Sequence, residues 1–218
     1  LAAGLFMLPF FLFSALAGQL SDKYDKSLVA RRTRFFEIFA VAIAAFSLFT
    51  NQLWLQLFAV FLMGTVSTFF GPVKYGILPQ HLDRHELLGG NGLIEMATFV
   101  SILLGTLFGS NVILHAQGRW GVTVVMVALA IIGWLAARRI PAAPPAQPDL
   151  VINRNFLAET WRVIGQVMKN RDVFQSILGI SGFWVIGSIF LTQMPLFAQA
   201  DLHADDSVMT LGFITFTL

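Results

Sequence analysis

Lysine and arginine are spread very unevenly along this chain. Five of the 14 lie between Lys23 and Arg34 and six between Arg138 and Arg171, while most of the remainder is long apolar runs. Phe35 to Thr50, Leu53 to Gly71 and Gly121 to Ala137 carry almost no charge. Each approaches the about 20 helical residues needed to cross a hydrocarbon layer of about 30 Å. Backbone amides in that layer must be satisfied within the segment that carries them, and here a helix does so. The pattern predicts an all-α polytopic membrane protein, in which functional chemistry must come from the polar groups retained inside lipid.

Composition agrees. Hydrophobic residues make up 56%, charged residues 12%, and mean hydropathy is +0.74, whereas about a quarter of the residues in a soluble domain are charged. The net charge of +2 does not imply a nucleic-acid partner. The cations lie in loops between apolar runs, where membrane lipids and topology account for them. The sequence has no cysteine, which excludes disulfides and thiolate-held metal.

Spans are expected at 1–20, 33–51, 53–72, 88–113, 120–137 and 173–199, with another starting near 207. If loop 22–34 is cytoplasmic, loops 73–87 and 138–172 are too, and that side then carries 13 of the 14 Lys and Arg. Only Arg119 lies opposite, so the positive-inside rule fixes the orientation. Trp54 and Trp120 fall at far-side ends, as interfacial anchors do. Pro141-Ala-Ala-Pro-Pro-Ala-Gln-Pro148 cannot continue a helix, which gives three parts: a transmembrane bundle over 1–137, a cytoplasmic linker over 138–172, and the start of a second bundle over 173–218. Leu157, Trp161, Ile164 and Met168 recur at helical spacing within the linker and predict an amphipathic helix; a simple extension of the next span is the alternative. Five spans before the linker, a first residue that is Leu, and an opening inside an apolar run give the expectation that one span is missing upstream. The chain also stops inside the last expected span.

Three constellations carry candidate chemistry. Gly18-Gln-Leu-Ser-Asp22-Lys23-Tyr-Asp-Lys26 closes the first span. Its glycine permits close helix approach, and its carboxylate and cations at the membrane surface can form ion pairs that hold one conformation. A positive-inside loop with an incidental Asp is the plainer reading. In the second, Gly71-Pro72 is expected to break the third span, so that Lys74 and Tyr75 emerge at headgroup depth to meet a phosphate or bridge apolar and wet layers. A snorkelling Lys beside an interfacial Tyr would look the same. The third lies within a span: at 100° per residue Asn91, Glu95, Thr98, Gly105 and Gly109 share one stripe, polar at its cytoplasmic half and small at its far half. A carboxylate in a span is expensive unless paired or facing water. Glu95 is therefore expected to serve headgroup-amine binding, proton coupling or an internal salt bridge. Glu37, beside Arg34, reads as an ordinary interfacial pair.

The first constellation resembles the signature loop of the major facilitator superfamily, Gly-x-x-x-Asp-Arg/Lys-x-Gly-Arg/Lys, with Asp25 standing where the pattern has Gly. Phe70-Gly-Pro-Val-Lys74-Tyr75-Gly-Ile-Leu-Pro79, then Gly-Gly-Asn91-Gly-Leu-Ile-Glu95-Met-Ala-Thr98 and Ile-Leu-Leu-Gly105-Thr, look like the lysophospholipid transporter family within that superfamily. The chain is similar to versions fused ahead of a glycerophospholipid acyltransferase and an acyl-activating domain. The resemblance covers nearly all 218 residues, with its specific part at 70–105. It implies a fold of two six-helix bundles, of which this chain would hold helices two to seven and the start of eight. It also implies inward movement of lysophospholipids such as 2-acyl-glycerophosphoethanolamine across the bacterial inner membrane for reacylation. By position, Gly18, Asp22, Lys23 and Lys26 would form the cytoplasmic gate. Lys74, Tyr75, Asn91, Glu95 and Thr98 are assigned to substrate by charge and depth. The expected partners are the lysophospholipid, membrane lipids, and a fused or associated acyltransferase and acyl-activating domain.

A lysophospholipid keeps its acyl chain in apolar surroundings while its headgroup alone needs a polar path. Spans so poor in ionisable groups suit such a cargo better than a sugar, whose site needs many hydrogen-bonding side chains. A major facilitator exporting drugs by proton antiport, or a membrane anchor for an acyltransferase, are the alternative readings. No nucleophile with a base and no phosphate loop is legible, and no cofactor is expected. His81 and His85 would share a helix face only if their loop were helical; they are read as loop residues rather than metal ligands.

Overall fold

The structure, a computed structural model, describes residues 1–113, 115, 117–153 and 155–200. Its helices are α1 (Ala2–Lys23), α2 (Lys26–Thr50), α3 (Leu53–Gly76), α4 (Leu78–His81), α5 (Leu87–Val112), α6 (Gly118–Ala137), α7 (Phe156–Val167) and α8 (Arg171–Ala200). No strand occurs among the described residues. Six segments, with α3 and α4 counted as one, are long and apolar enough to cross a membrane. They coincide with the six expected spans. The further span expected near 207 lies outside the described residues.

Two expected boundaries move. The second span begins at Lys26 rather than 33, because the carboxylate of Asp25 accepts the amides of Ser27 at 2.8 Å and Leu28 at 3.3 Å and so caps α2. An N-terminal acceptor of this kind satisfies donors that have no intrahelical partner, and the basic turn with Arg31, Arg32 and Arg34 becomes helical. The loop before α2 shrinks to Tyr24 and Asp25. The third span does not break at Gly71-Pro72. Pro72 lies inside α3, which runs on to Gly76. A proline within a helix removes its own amide bond and crowds the carbonyl four residues back, and here burial of the next residue, Val73, 1% exposed, anchors the last turn in the bundle against that cost.

The described residues form two compact units: 1–93 with 112–161, and 94–111 with 162–200. In the first, α3 packs against α1 and α2, and α2 packs against α6. Without a hydrophobic drive between helices in lipid, association depends on close packing through small residues. The buried positions fit this: Ala17, Ala40, Ala45, Ala59, Ala130 and Ala137. Gly64 is the tightest point of the α1–α3 crossing, where a Cβ would overlap the Phe6 carbonyl. Phe13 stacks on Phe69 at 6.3 Å between ring centroids. Along the α2–α6 seam, Phe35 meets Trp134 at 6.1 Å and Phe49 meets Trp120 at 4.7 Å.

At the end of α2 opposite Asp25, Asn51 adopts a left-handed conformation with φ 52°, the helix-ending geometry that Asn tolerates among non-glycine residues. In the second unit, Phe99 of α5 stacks on Trp184 of α8 at 5.6 Å, with Phe183 edge-on at 6.2 Å. Asn155 caps α7 through Ala158 and Asn170 caps α8 through Val173.

Candidate functional site

The cation-rich end of the first unit is built around the two-residue link between α1 and α2. Asp22, in the last turn of α1, is exposed, Lys23 is half-buried, and Lys26 opens α2 with only 4% of its surface exposed. The Lys26 stem lies against Gly76 at the end of α3, where a Cβ would sit 3.3 Å from its Cε. Any side chain at 76 would press on this lysine. Its buried Nζ has no hydrogen-bond partner among the described residues, and a buried cation without a partner is costly. Gly18 has nothing within 4 Å of the place a Cβ would take, whereas Gly64 and Gly76 do allow close approach in this bundle.

Sequence reasoning missed that the proline-rich segment after α6 is bonded down across this end. The amide of Lys26 donates to the Ala143 carbonyl at 2.9 Å, while the Ala143 amide donates to the Asp25 carboxylate at 3.2 Å. The Gln147 amide donates to the backbone carbonyl of Asp22 at 2.8 Å. Arg31 donates to Ile140 O at 2.7 Å and Gln80 to Pro144 O at 3.1 Å. Gln19, buried in α1, takes the Asn153 amide at 2.7 Å, and Asn153 in turn donates to the carboxylate of Glu159, 3% exposed in α7. Residues 140–153 therefore form a strap touching α1, α2 and α4, which places those connections and the linker on one side of the bundle, as the charge pattern predicts. Two signals for it were present in the sequence: Asp25-Lys-Ser27 as a capping pattern, and Gln19 as an amide inside an apolar span.

Asp25 occupies the position where the signature pattern has glycine, and it has a defined role there. Partial burial by itself would push its carboxyl pKa up. The hydrogen bonds from the Ser27 hydroxyl at 2.6 Å, the Ala143 amide and the amides of Leu28 and Ser27 outweigh that and hold it below the ordinary value of 3.8.

Lys74 and Tyr75 lie in the last turn of α3, with the Lys74 ammonium 5.0 Å from the centre of the Tyr75 ring. Arg34 pairs with Glu37 at 2.6 Å and covers the Phe70 ring at 3.8 Å, the interfacial pair expected of it. Asn91 donates to Leu87 O at 2.9 Å and Thr98 to Ile94 O at 2.7 Å, both back onto α5. Glu95 is half-buried between them on the same stripe. Lys74, Tyr75 and Asn91 belong to the first unit, and Glu95 and Thr98 to the second. Nothing lies within 4 Å of a Cβ built at Gly105 or Gly109. His81 ends α4 and His85 follows in a turn, so the two do not share a helix face.

The family profile described as Major Facilitator Superfamily matches residues 1–218. The chain is 26% identical over 210 residues to proteins named Lysophospholipid transporter LplT from Escherichia coli O139:H28 (strain E24377A / ETEC), Escherichia coli (strain K12 / DH10B) and Shigella boydii serotype 18 (strain CDC 3083-94 / BS512). Each similarity covers 93% of this chain and 49% of the relative. The chain spans about half the length of the curated relatives it matches. No solved structure matches it.

Proposed function

The chain belongs to the major facilitator superfamily and is part of a multi-pass membrane transporter rather than an enzyme, and from that premise we propose that its cargo is a lysophospholipid such as 2-acyl-glycerophosphoethanolamine, carried inward across the bacterial inner membrane for reacylation. The observation that carries the reading is the similarity to proteins named as lysophospholipid transporters, extending over 93% of the chain. The physical chemistry supports it. Asn91, Glu95 and Thr98 make a short polar stripe on a helix whose one ionisable residue is Glu95, enough for a zwitterionic headgroup whose acyl chain stays in lipid.

In this reading Glu95 meets the headgroup amine within its span, and at a separate stage Lys74 and Tyr75 receive the phosphate at cytoplasmic headgroup depth. Asp22, Lys23 and Lys26, with Gly18 behind them, act at the cytoplasmic gate, where an unpaired buried amino group on Lys26 is poised to gain a partner when the gate changes state. An acyltransferase and acyl-activating domain, fused or associated, would consume the delivered lipid. The test is a leaflet-resolved translocation assay on the complete protein in vesicles, with and without an imposed proton or sodium gradient. Inward movement of lysophosphatidylethanolamine above that of protein-free vesicles is the expected result. Drug-stimulated proton flux without lipid movement would replace this reading with that of an antiporter.

A further inference from the structure

We propose that α1, α2 and α3 hold a seat for one acyl chain of an anionic glycerophospholipid of the cytoplasmic leaflet, with its phosphate on Arg32. A cavity of about 610 Å³ opens between these helices. Leu20 of α1 and Tyr24 just after it close its cytoplasmic end, Phe36, Phe39 and Ile43 of α2 line one wall, and Phe58, Leu62 and Phe69 of α3 line the other.

The membrane supplies the occupant. Arg32 to Ile43 covers about eleven residues, about 16 Å of helix, which is the depth of one leaflet in a hydrocarbon layer of about 30 Å. Charge decides which lipid. Arg32 is the only ionisable side chain apart from Tyr24 in the lining, it is exposed, and it has no hydrogen bond or ion pair among the described residues. A guanidinium there matches a phosphate in two parallel hydrogen bonds, and the half-exposed Tyr24 phenol stands at the same level.

The seat is not the transport path. Its walls come from α1, α2 and α3, and none of Lys74, Tyr75, Asn91, Glu95 and Thr98 lines it. Beyond Arg32 the lining offers only the hydroxyls of Thr33 and Thr65, and Thr65 is already donating to Phe61 O. A headgroup can dock at the cytoplasmic end and go no further.

The complete protein in vesicles of phosphatidylethanolamine with a minor fraction of phosphatidylglycerol tests this, using phosphatidylglycerol that carries a photoreactive diazirine on one acyl chain and mass spectrometry to locate the adducts. Adducts are expected on the Phe36, Phe39, Phe58 and Phe69 faces. They should fall about tenfold in Arg32→Gln, as for loss of a charge-assisted hydrogen bond, recover in Arg32→Lys, and vanish in Leu62→Trp, which fills the seat. Equal labelling by a phosphatidylethanolamine probe, adducts spread evenly over the outward face of α6, or no adducts in the groove would overturn the proposal. Stronger labelling by a lysophosphatidylethanolamine probe would overturn the choice of occupant. Each result is independent of the translocation assay, so failure here leaves the transport reading standing.

Discussion

Asp25 and Ala143, separated by 118 positions, are joined in both directions: the Ala143 amide meets the Asp25 carboxylate at 3.2 Å, and the Ala143 carbonyl receives the amide of the residue after Asp25 at 2.9 Å. One carboxylate thus caps α2 and fastens the segment that leaves α6. Ala143 is fully buried by the arrangement. The segment that joins α6 to α7 is consequently a fitted part of the bundle's cation-rich end, so movement there must either carry the strap along or release it.

Asp25→Ala should release it. Loss of an N-cap costs about 0.5–2 kcal/mol, and the Ala143 amide loses its acceptor as well. Amide hydrogen exchange over 140–150 is expected to accelerate, while α6 remains protected. The pH dependence has a definite sign. The folded pKa of Asp25 lies below its ordinary value of 3.8, so its contribution is complete above that value and is lost as pH falls through the lower folded value. Strap protection should therefore be flat at neutral pH and fail only in strong acid. Asp25→Asn, which can still cap the helix, should remove that acid step; an unchanged step would assign it to another group.

Gly64 should tolerate no side chain. A Cβ there overlaps the Phe6 carbonyl backbone, which cannot swing aside as a flexible side chain would. Overpacking of this kind costs about 1–3 kcal/mol. Gly64→Val is expected to lower the thermal midpoint of the purified protein, whereas Gly71→Val, at a position with open space, should cost far less. Equal losses would mean that α1 and α3 do not cross at Gly64.

The helices were legible in the sequence because hydropathy reports the apolar solvent directly, and the placement of lysine and arginine gives the expected orientation. The strap was not. A run of prolines and alanines reads as a spacer, and its bonding partners are backbone groups far away in the chain that no local pattern announces. Asp25 illustrates the difference: it looks like a departure from a signature glycine until the Ala143 amide is found on it. The helical continuation of α3 through Pro72 escaped for a related reason, since burial of Val73 overrode a local helix-breaking signal. Glu95 was legible only as an expensive residue in an apolar span, because chemical type does not reveal what it faces.

Labelling provides a test of orientation. The sequence contains no cysteine, so single-cysteine variants have a clean background. Tyr24 and Ala146, both exposed at the strap end, should react with a membrane-impermeant maleimide only from the cytoplasm, and Gln117, exposed at the other end, only from outside. Reaction of the Gln117 variant from the cytoplasmic side of sealed membranes would reverse the topology and remove the basis for the gate and headgroup assignments.

Glu95→Gln should impair movement of ethanolamine-headed lysolipid more than that of glycerol-headed lysolipid. A cationic amine pairs with a carboxylate in a poorly hydrated path, and losing one charge-assisted contact costs about 1.5–3 kcal/mol, or roughly tenfold or more in apparent affinity. A glycerol headgroup would lose only a neutral hydrogen bond that the amide can partly replace. The stripe formed by Asn91, Glu95 and Thr98 motivates the expectation, and the back-bonding of Asn91 and Thr98 onto α5 leaves Glu95 as the charged member of that stripe. Transport of both lysolipids in vesicles, normalised to folded protein recovered in the membrane, separates the possibilities. Equal loss with reduced protein recovery would assign Glu95 to holding α5 in place, and equal retention would remove it from the substrate path.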